Sequence, residues 1–116
     1  MSKAAAKVIK LGELGYVPRF EYGDVAEVAG ITGPDEGTEL GTGMVRMTGA
    51  EIPWTIKYDE VILILEGALS IDIEGEILTA RAMEAIWLPA GTELVYRAEY
   101  ALMFYAIHPA NWAEKG

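Results

Sequence analysis

The sequence predicts an all-β single domain closed into a barrel or double sheet, and three observations carry that prediction. Thirteen Gly and five Pro punctuate short runs rich in Val, Ile, Leu, Tyr and Trp, with turn signals at roughly ten-residue spacing, the rhythm of a sandwich or barrel. No long helix fits between them. The stretch from Val61 to Ala80 reads VILIL, Glu66-Gly67, ALSIDI, Glu74-Gly75, EILTA. Each Gly supplies a positive φ, so two tight hairpins are expected there.

Taken in order, residues 1–15 read as an N-terminal arm and residues 16–116 as the barrel domain. Met1 to Lys10 suits a brief helix, a frayed arm or a strand added to a partner subunit. Candidate strands follow at Tyr16–Phe20, Val25–Ile31, Glu39–Thr48 and Pro53–Tyr58, with the turn cluster Thr32-Gly33-Pro34-Asp35-Glu36-Gly37 between the second and third. Val61–Leu65 reads as a strand buried on both faces. In the next strand Leu69, Ile71 and Ile73 alternate with Ser70, Asp72 and Glu74, so one face packs and the other is wet. Glu76–Ala80, Ala85–Leu88, Thr92–Ala98 and Ala101–Ile107 complete a set of ten or so short strands. Closure of the sheet disposes of the exposed edges that so many strands would otherwise present.

Composition then excludes whole classes of function. Apolar residues make up 52% of the 116-residue chain, too many for disorder, and no apolar run approaches the roughly 20 residues that span a bilayer. Nine Lys and Arg stand against 18 Asp and Glu, and the net charge of -9 repels phosphate backbones and anionic membranes. With no Cys there is no disulfide framework, thiolate nucleophile or thiolate metal site, and MSKAAAKVIK lacks the apolar core of a secretory signal. The expectation is a cytoplasmic protein.

Most standard chemistry is absent by residue type. Gly41 and Gly43 in LGTGMVRMTG precede no helical pattern, so neither a P-loop nor a dinucleotide fingerprint is present. His108 is the one His and Ser2 and Ser70 the only Ser. That set supports neither a His metal centre nor a nucleophile elbow, and His108, before Pro109 at a strand end, reads as structural or surface. What remains is Pro53-Trp54-Thr55-Ile56-Lys57-Tyr58-Asp59-Glu60. On an extended strand Trp54, Ile56, Tyr58 and Glu60 share one face, while Lys57 and Asp59 point the other way unless a bend at Asp59 breaks the parity. Burying Glu60 at the start of an apolar strand costs several kcal/mol unless it is hydrogen-bonded or protonated, and Tyr58 is the nearest donor. Glu60 therefore either closes a barrel end by pairing with Lys57, Tyr58 or an Arg, or serves in binding or acid/base chemistry. A second cluster runs from Ile86 to Tyr96 through the Pro89-Ala90-Gly91 turn. There Leu94 and Tyr96 share a face, as core and pocket-mouth residues or as pocket lining. The candidate site is accordingly Glu60, Tyr58 and Asp59 for catalysis, with Trp54, Ile56, Leu94 and Tyr96 for binding a small molecule.

These two stretches resemble the two motifs of the cupin superfamily, G-x5-H-x-H-x3,4-E-x6-G and G-x5-P-x-G-x2-H-x3-N. Glu60 and Gly67 keep the spacing of the first, and Pro89 and Gly91 that of the second. Trp54, Ile56 and Leu94 stand where its His ligands would be, while Met83 and Ala98 replace a Gly and an Asn. Pro53-Trp54-Thr55 with Tyr58-Asp59-Glu60, then Glu66-Gly67, Ala82-Met83-Glu84 and Pro109-Ala110-Asn111-Trp112 are similar to the ethanolamine utilisation protein EutQ branch, over about residues 45 to 113. Met83-Glu84 departs from its usual Gly-Asp. Its ethanolamine-utilisation members carry a long extension ahead of the barrel, and the shorter leading segment here argues against a microcompartment role. The resemblance implies a jelly-roll barrel, the double-stranded β-helix, usually dimeric and lacking the metal centre, with no cofactor expected in the barrel. It also implies an alternative. Acetate kinase activity, requiring ATP and a divalent cation, is attributed to the family, and Arg46, Lys57, Arg81 and Arg97 are the candidate phosphate clamps. A non-catalytic dimeric interaction module is the remaining possibility.

Overall fold

The computed structural model describes residues 5–115. Seven strands and one short helix follow in order: β1 Val17–Pro18, β2 Ala26–Thr32, β3 Gly41–Thr55, β4 Asp59–Ile73, β5 Glu76–Arg81, β6 Ala85–Leu88, β7 Glu93–His108 and α1 Trp112–Lys115. Every pairing is antiparallel, in the order β1-β2-β3-β7-β4-β5, with β6 against β4. Among the described residues no helix is long and apolar enough to cross a membrane. Met1 to Ala4 of the expected arm lie outside the described residues. Residues 5–10 carry no regular secondary structure.

The all-β class holds, but the ten short strands expected are replaced by fewer, longer ones. Most of Glu39–Thr48 and the start of Pro53–Tyr58 belong to one strand, β3, which passes through Gly49 at φ 60°, and the last two expected strands merge into β7. The expected hairpin at Glu66-Gly67 is likewise corrected. β4 runs straight through it, and the register against β7 slips at Ile64/Glu66 and again at Gly67/Ser70. Gly67 (φ 75°) therefore marks a bulge. A Glu-Gly pair supplies the same positive φ to a bulge as to a turn, so local sequence does not separate them. Glu74-Gly75 does form the expected two-residue turn. Both residues have positive φ (54° and 89°), Ile73 faces Glu76, and the Gly75 N–H donates to Asp72 Oδ1 at 2.9 Å.

The long strands explain how one sheet encloses a core. The first half of β4 lies between β6 and the end of β7, while its second half lies between β5 and the start of β7. Each bent strand thus contributes to two walls. Ile52, Ile64, Leu69 and Ile71, all at 0% exposure, fill the space between them. Val61–Leu65 is buried on one face only, a further correction: Ile62 and Ile64 point inward, while Val61 is 44% exposed and Leu63 and Leu65 are partly covered. The outer face of β4 is apolar without being core.

Candidate functional site

Burial alternates from Ile52 to Glu60, with Ile56, Tyr58 and Glu60 inward and Lys57 and Asp59 outward. The parity read from the sequence survives although the chain leaves the sheet between Thr55 and Asp59. Backbone bonds hold it there. The Ile56 N–H donates to the Thr92 carbonyl at 2.8 Å and the Gly91 N–H to the Ile56 carbonyl at 2.7 Å. Asp59 Oδ1 accepts the Ala90 N–H at 2.9 Å. The Pro89-Ala90-Gly91 turn is thereby docked on the Trp54–Glu60 segment, which brings the two motifs together.

Above the filled half of the barrel lies a cavity of about 280 Å³. Tyr58, Glu60 and Tyr96 line it, as does Tyr105, over aliphatic walls that include Val45, Ile62 and Met103. Tyr96, near the start of β7, donates its hydroxyl to Glu60 Oε1 at 3.2 Å. Tyr58, the donor expected from sequence proximity, instead accepts the Trp54 Nε1–H at 3.2 Å. Four of the seven expected site residues stand elsewhere. Ile56 (1% exposed) and Leu94 (4%) belong to the packed core. Trp54 supports the wall from behind, edge-on to Trp112 at 6.1 Å. Asp59 faces out and ties down the turn, as its odd position on the strand dictates.

Arg19, Trp112 and Tyr105 are among the lining residues that the sequence reading did not find. Arg19, from the segment after β1, reaches the cavity with its guanidinium 5.2 Å from the centre of the Trp54 ring. The C-terminal Trp112 lies 5.3 Å from Tyr58, so the Pro109-Ala110-Asn111-Trp112 tail forms part of the wall. Tyr105 crosses β3 at Gly43, where a Cβ would stand 2.6 Å from both the Tyr105 hydroxyl and the Ala29 carbonyl. The glycines of LGTGM thus make room for a side chain rather than a phosphate. That role offers no local signature.

Electrostatics follow from burial. Removal from water raises the Glu60 carboxyl from its ordinary 4.5 to about 7, against the lowering effects of the Tyr96 hydrogen bond and the Arg19 charge. Burial also raises Tyr58, Tyr96 and Tyr105, and the Glu60 charge adds to each, so all three keep their protons at neutral pH. The cations expected to clamp phosphate lie outside the cavity. Arg97 pairs with Glu51 and Asp72 on the outer surface, and Arg46 pairs with Glu27 at 3.2 Å while lying over Tyr16. Lys57 and Arg81 are exposed. His108 is also exposed, with Nε2 3.8 Å from Glu39.

Comparison with known proteins agrees with this geometry. The family model described as ethanolamine utilisation protein EutQ matches residues 2–114. A protein named acetate kinase EutQ from Clostridioides difficile is 30% identical over 108 residues, which are 92% of this chain and 69% of that protein. Its namesake from Escherichia coli is 34% identical over 83 residues, 71% of this chain, and the match spans only 35% of that longer protein. The Clostridium difficile EutQ structure superposes with a TM-score of 0.73 at 30% identity, covering 78% of this chain and 67% of that one. The ectoine synthase of P. lautus shares the fold at a TM-score of 0.76 and 16% identity, covering 90% and 78% of the two chains. A cupin domain of an Enterobacter cloacae regulator does so at 0.63 and 19%, covering 72% and 96%. With the barrel, the motif spacing and the family match in accord, this chain belongs to the ethanolamine utilisation protein EutQ family and folds as a cupin.

Proposed function

We propose that the cavity binds a small polar metabolite and that Glu60 exchanges a proton with it. The observation that carries this reading is the convergence of one buried carboxyl, three phenols and the Arg19 guanidinium on a single small cavity whose remaining walls are mostly apolar, the usual composition of a metabolite site. Tyr96 holds one oxygen of Glu60, which leaves the other to take up or release a proton. A group titrating near 7 exchanges protons efficiently at neutral pH. A screen of small polar metabolites for binding and turnover tests the reading, with the parent protein expected to respond and Glu60→Gln expected not to.

The relatives named acetate kinase supply a second reading, phosphoryl transfer to a small acceptor in the same cavity. It needs cationic groups at the phosphates, and Arg19 is the one cation among the described lining residues. Titration with ATP and magnesium separates the two readings: nucleotide binding favours transfer, and its absence with metabolite binding intact favours proton exchange.

The donor set does not fit a resident transition metal. Among the described residues no three His, Cys, Asp or Glu side chains gather, and Glu60 is the one carboxylate lining the cavity. Elemental analysis of protein purified without an affinity tag should find less than stoichiometric zinc, iron, nickel or manganese. One chelation-resistant equivalent contradicts this.

The outer face of β4 fits a second copy of the chain. Val61 and Trp87 are paired across β4 and β6 and are 44% and 60% exposed, and Leu40 beside them is 51% exposed. Val8 and Leu11 of the arm are exposed as well, at 87% and 42%, and suit a strand added across that interface. Sedimentation is expected to report twice the chain mass, and Trp87→Glu to halve it. A parent that sediments as a monomer at micromolar concentration counts against the dimer.

A further inference from the structure

We propose that the ligand is a short zwitterion, with a carboxylate bound by Arg19 and an ammonium group bound by Glu60. This rests on the reading of the cavity as the ligand site and goes further by naming the ligand's chemistry. Arg19 and Glu60 are the only charged side chains among the described lining residues, and they are opposite in sign. Arg19 lies over Trp54 and its charge acts on Tyr58, while Glu60 is held by Tyr96. Tyr58 and Glu60 project from the same face, about 7 Å apart on extended backbone. The cavity therefore presents one positive and one negative group to a ligand.

Simple ions match only half of that arrangement. A monoanion gains Arg19 but meets the Glu60 charge, and a monocation gains Glu60 but meets Arg19. A molecule carrying both charges meets attraction at both ends, and partial burial strengthens each attraction relative to water. The guanidinium carries five N–H donors in a planar fork, a geometry that matches the two oxygens of a carboxylate. Around the negative group the faces of Tyr58, Tyr96 and Tyr105 suit an ammonium group. The Val45, Ile62 and Met103 side chains suit a short aliphatic link. A cavity of about 280 Å³ admits a small metabolite, and the smallest molecules that carry both charges are α- and β-amino acids with small side chains, the class indicated.

The charge on Glu60 gives the two ligand types opposite pH dependence. The groups facing it are Arg19, Tyr58, Tyr96 and Tyr105, and burial raises the three phenols so that they keep their protons below pH 8. Only Glu60 changes state in this range. An ammonium group prefers the carboxylate, so zwitterion affinity should rise roughly tenfold or more between pH 5.5 and pH 8. Acetate prefers the neutral acid, and its affinity should fall over the same interval.

Calorimetric titration of the full chain with glycine, β-alanine, acetate and ethylammonium at both pH values tests the proposal. The expected result is that one of the amino acids binds at least about tenfold tighter than acetate and ethylammonium at pH 8, with the rising pH dependence. Glu60→Gln should remove both the preference and the slope. Arg19→Gln should shift preference to ethylammonium, and Arg19→Lys should restore part of the amino-acid binding. Thermal unfolding of each variant identifies any that fails to fold. Acetate binding as tightly as either amino acid at pH 8, or amino-acid affinity that falls as the pH rises, overturns the zwitterion while leaving a metabolite cavity in place. Failure of all four probes overturns it too, and failure of the wider metabolite screen removes the underlying reading as well.

Discussion

Replacing Glu60 with Gln is expected to abolish metabolite binding while stabilising the fold at alkaline pH. Glu60 is 7% exposed, and its carboxyl in the folded protein is raised from the ordinary 4.5 to about 7. Below pH 4.5 folded and unfolded chains both carry the proton, and the group contributes no pH dependence. Between 4.5 and 7 the unfolded chain releases the proton while the folded one retains it, so stability falls as pH rises, and it levels off above 7. At about 1.4 kcal/mol per pKa unit the loss is about 3 kcal/mol at pH 8. Gln has nearly the same volume, never ionises and escapes that penalty. The melting temperature of Glu60→Gln minus that of the parent should therefore grow between pH 4 and pH 8 by roughly 10 °C. Thermal unfolding at several pH values, with binding measured on the same samples, checks both parts. A variant destabilised equally at every pH, with binding retained, assigns Glu60 a purely structural pairing.

The second large effect belongs to Gly67→Ala, expected to lower stability by more than about 3 kcal/mol. At φ 75° any residue with a Cβ is strained by roughly 1–2 kcal/mol. The new methyl would also overlap the Tyr100 carbonyl oxygen on β7. That oxygen belongs to backbone and cannot swing aside without disturbing the β4–β7 ladder. Gly75→Ala is the matched control. Its φ is 89°, but nothing lies within 4 Å of the added Cβ, so only the strain remains. Urea unfolding of both variants should place Gly67→Ala well below Gly75→Ala. Equal losses would mean that Gly67 sits in an open turn, as the sequence alone suggested, and not in a bulge pressed against β7.

The contrast between these glycines shows where local sequence stops being informative. Glu66-Gly67 and Glu74-Gly75 are alike as dipeptides. One reverses the chain because Ile73 and Glu76 pair beside it, and the other kinks a strand because β7 continues past it. Val61–Leu65 poses the same difficulty, since five apolar residues specify burial without specifying how many faces are covered. Arg19 and Trp112 were illegible for a related reason. Arg19 lies in a short irregular segment and Trp112 opens the helix α1, both far along the chain from Glu60, and nothing adjacent to either marks it as cavity lining.

The sequence by itself determined the all-β class, the turn at Glu74-Gly75 and the inward face shared by Ile56, Tyr58 and Glu60. These depend on residue type and on the two-residue period of extended backbone, and both are local properties. Tertiary structure alone decided that Tyr96 rather than Tyr58 donates to Glu60, that Ile56 and Leu94 fill the core while Tyr105 takes the wall, and that Arg19 supplies the cavity's positive charge. Those outcomes depend on the register in which strands distant in the chain are paired. Register is set by the sum of many side-chain fits across β3, β7 and β4, and no single segment contains it.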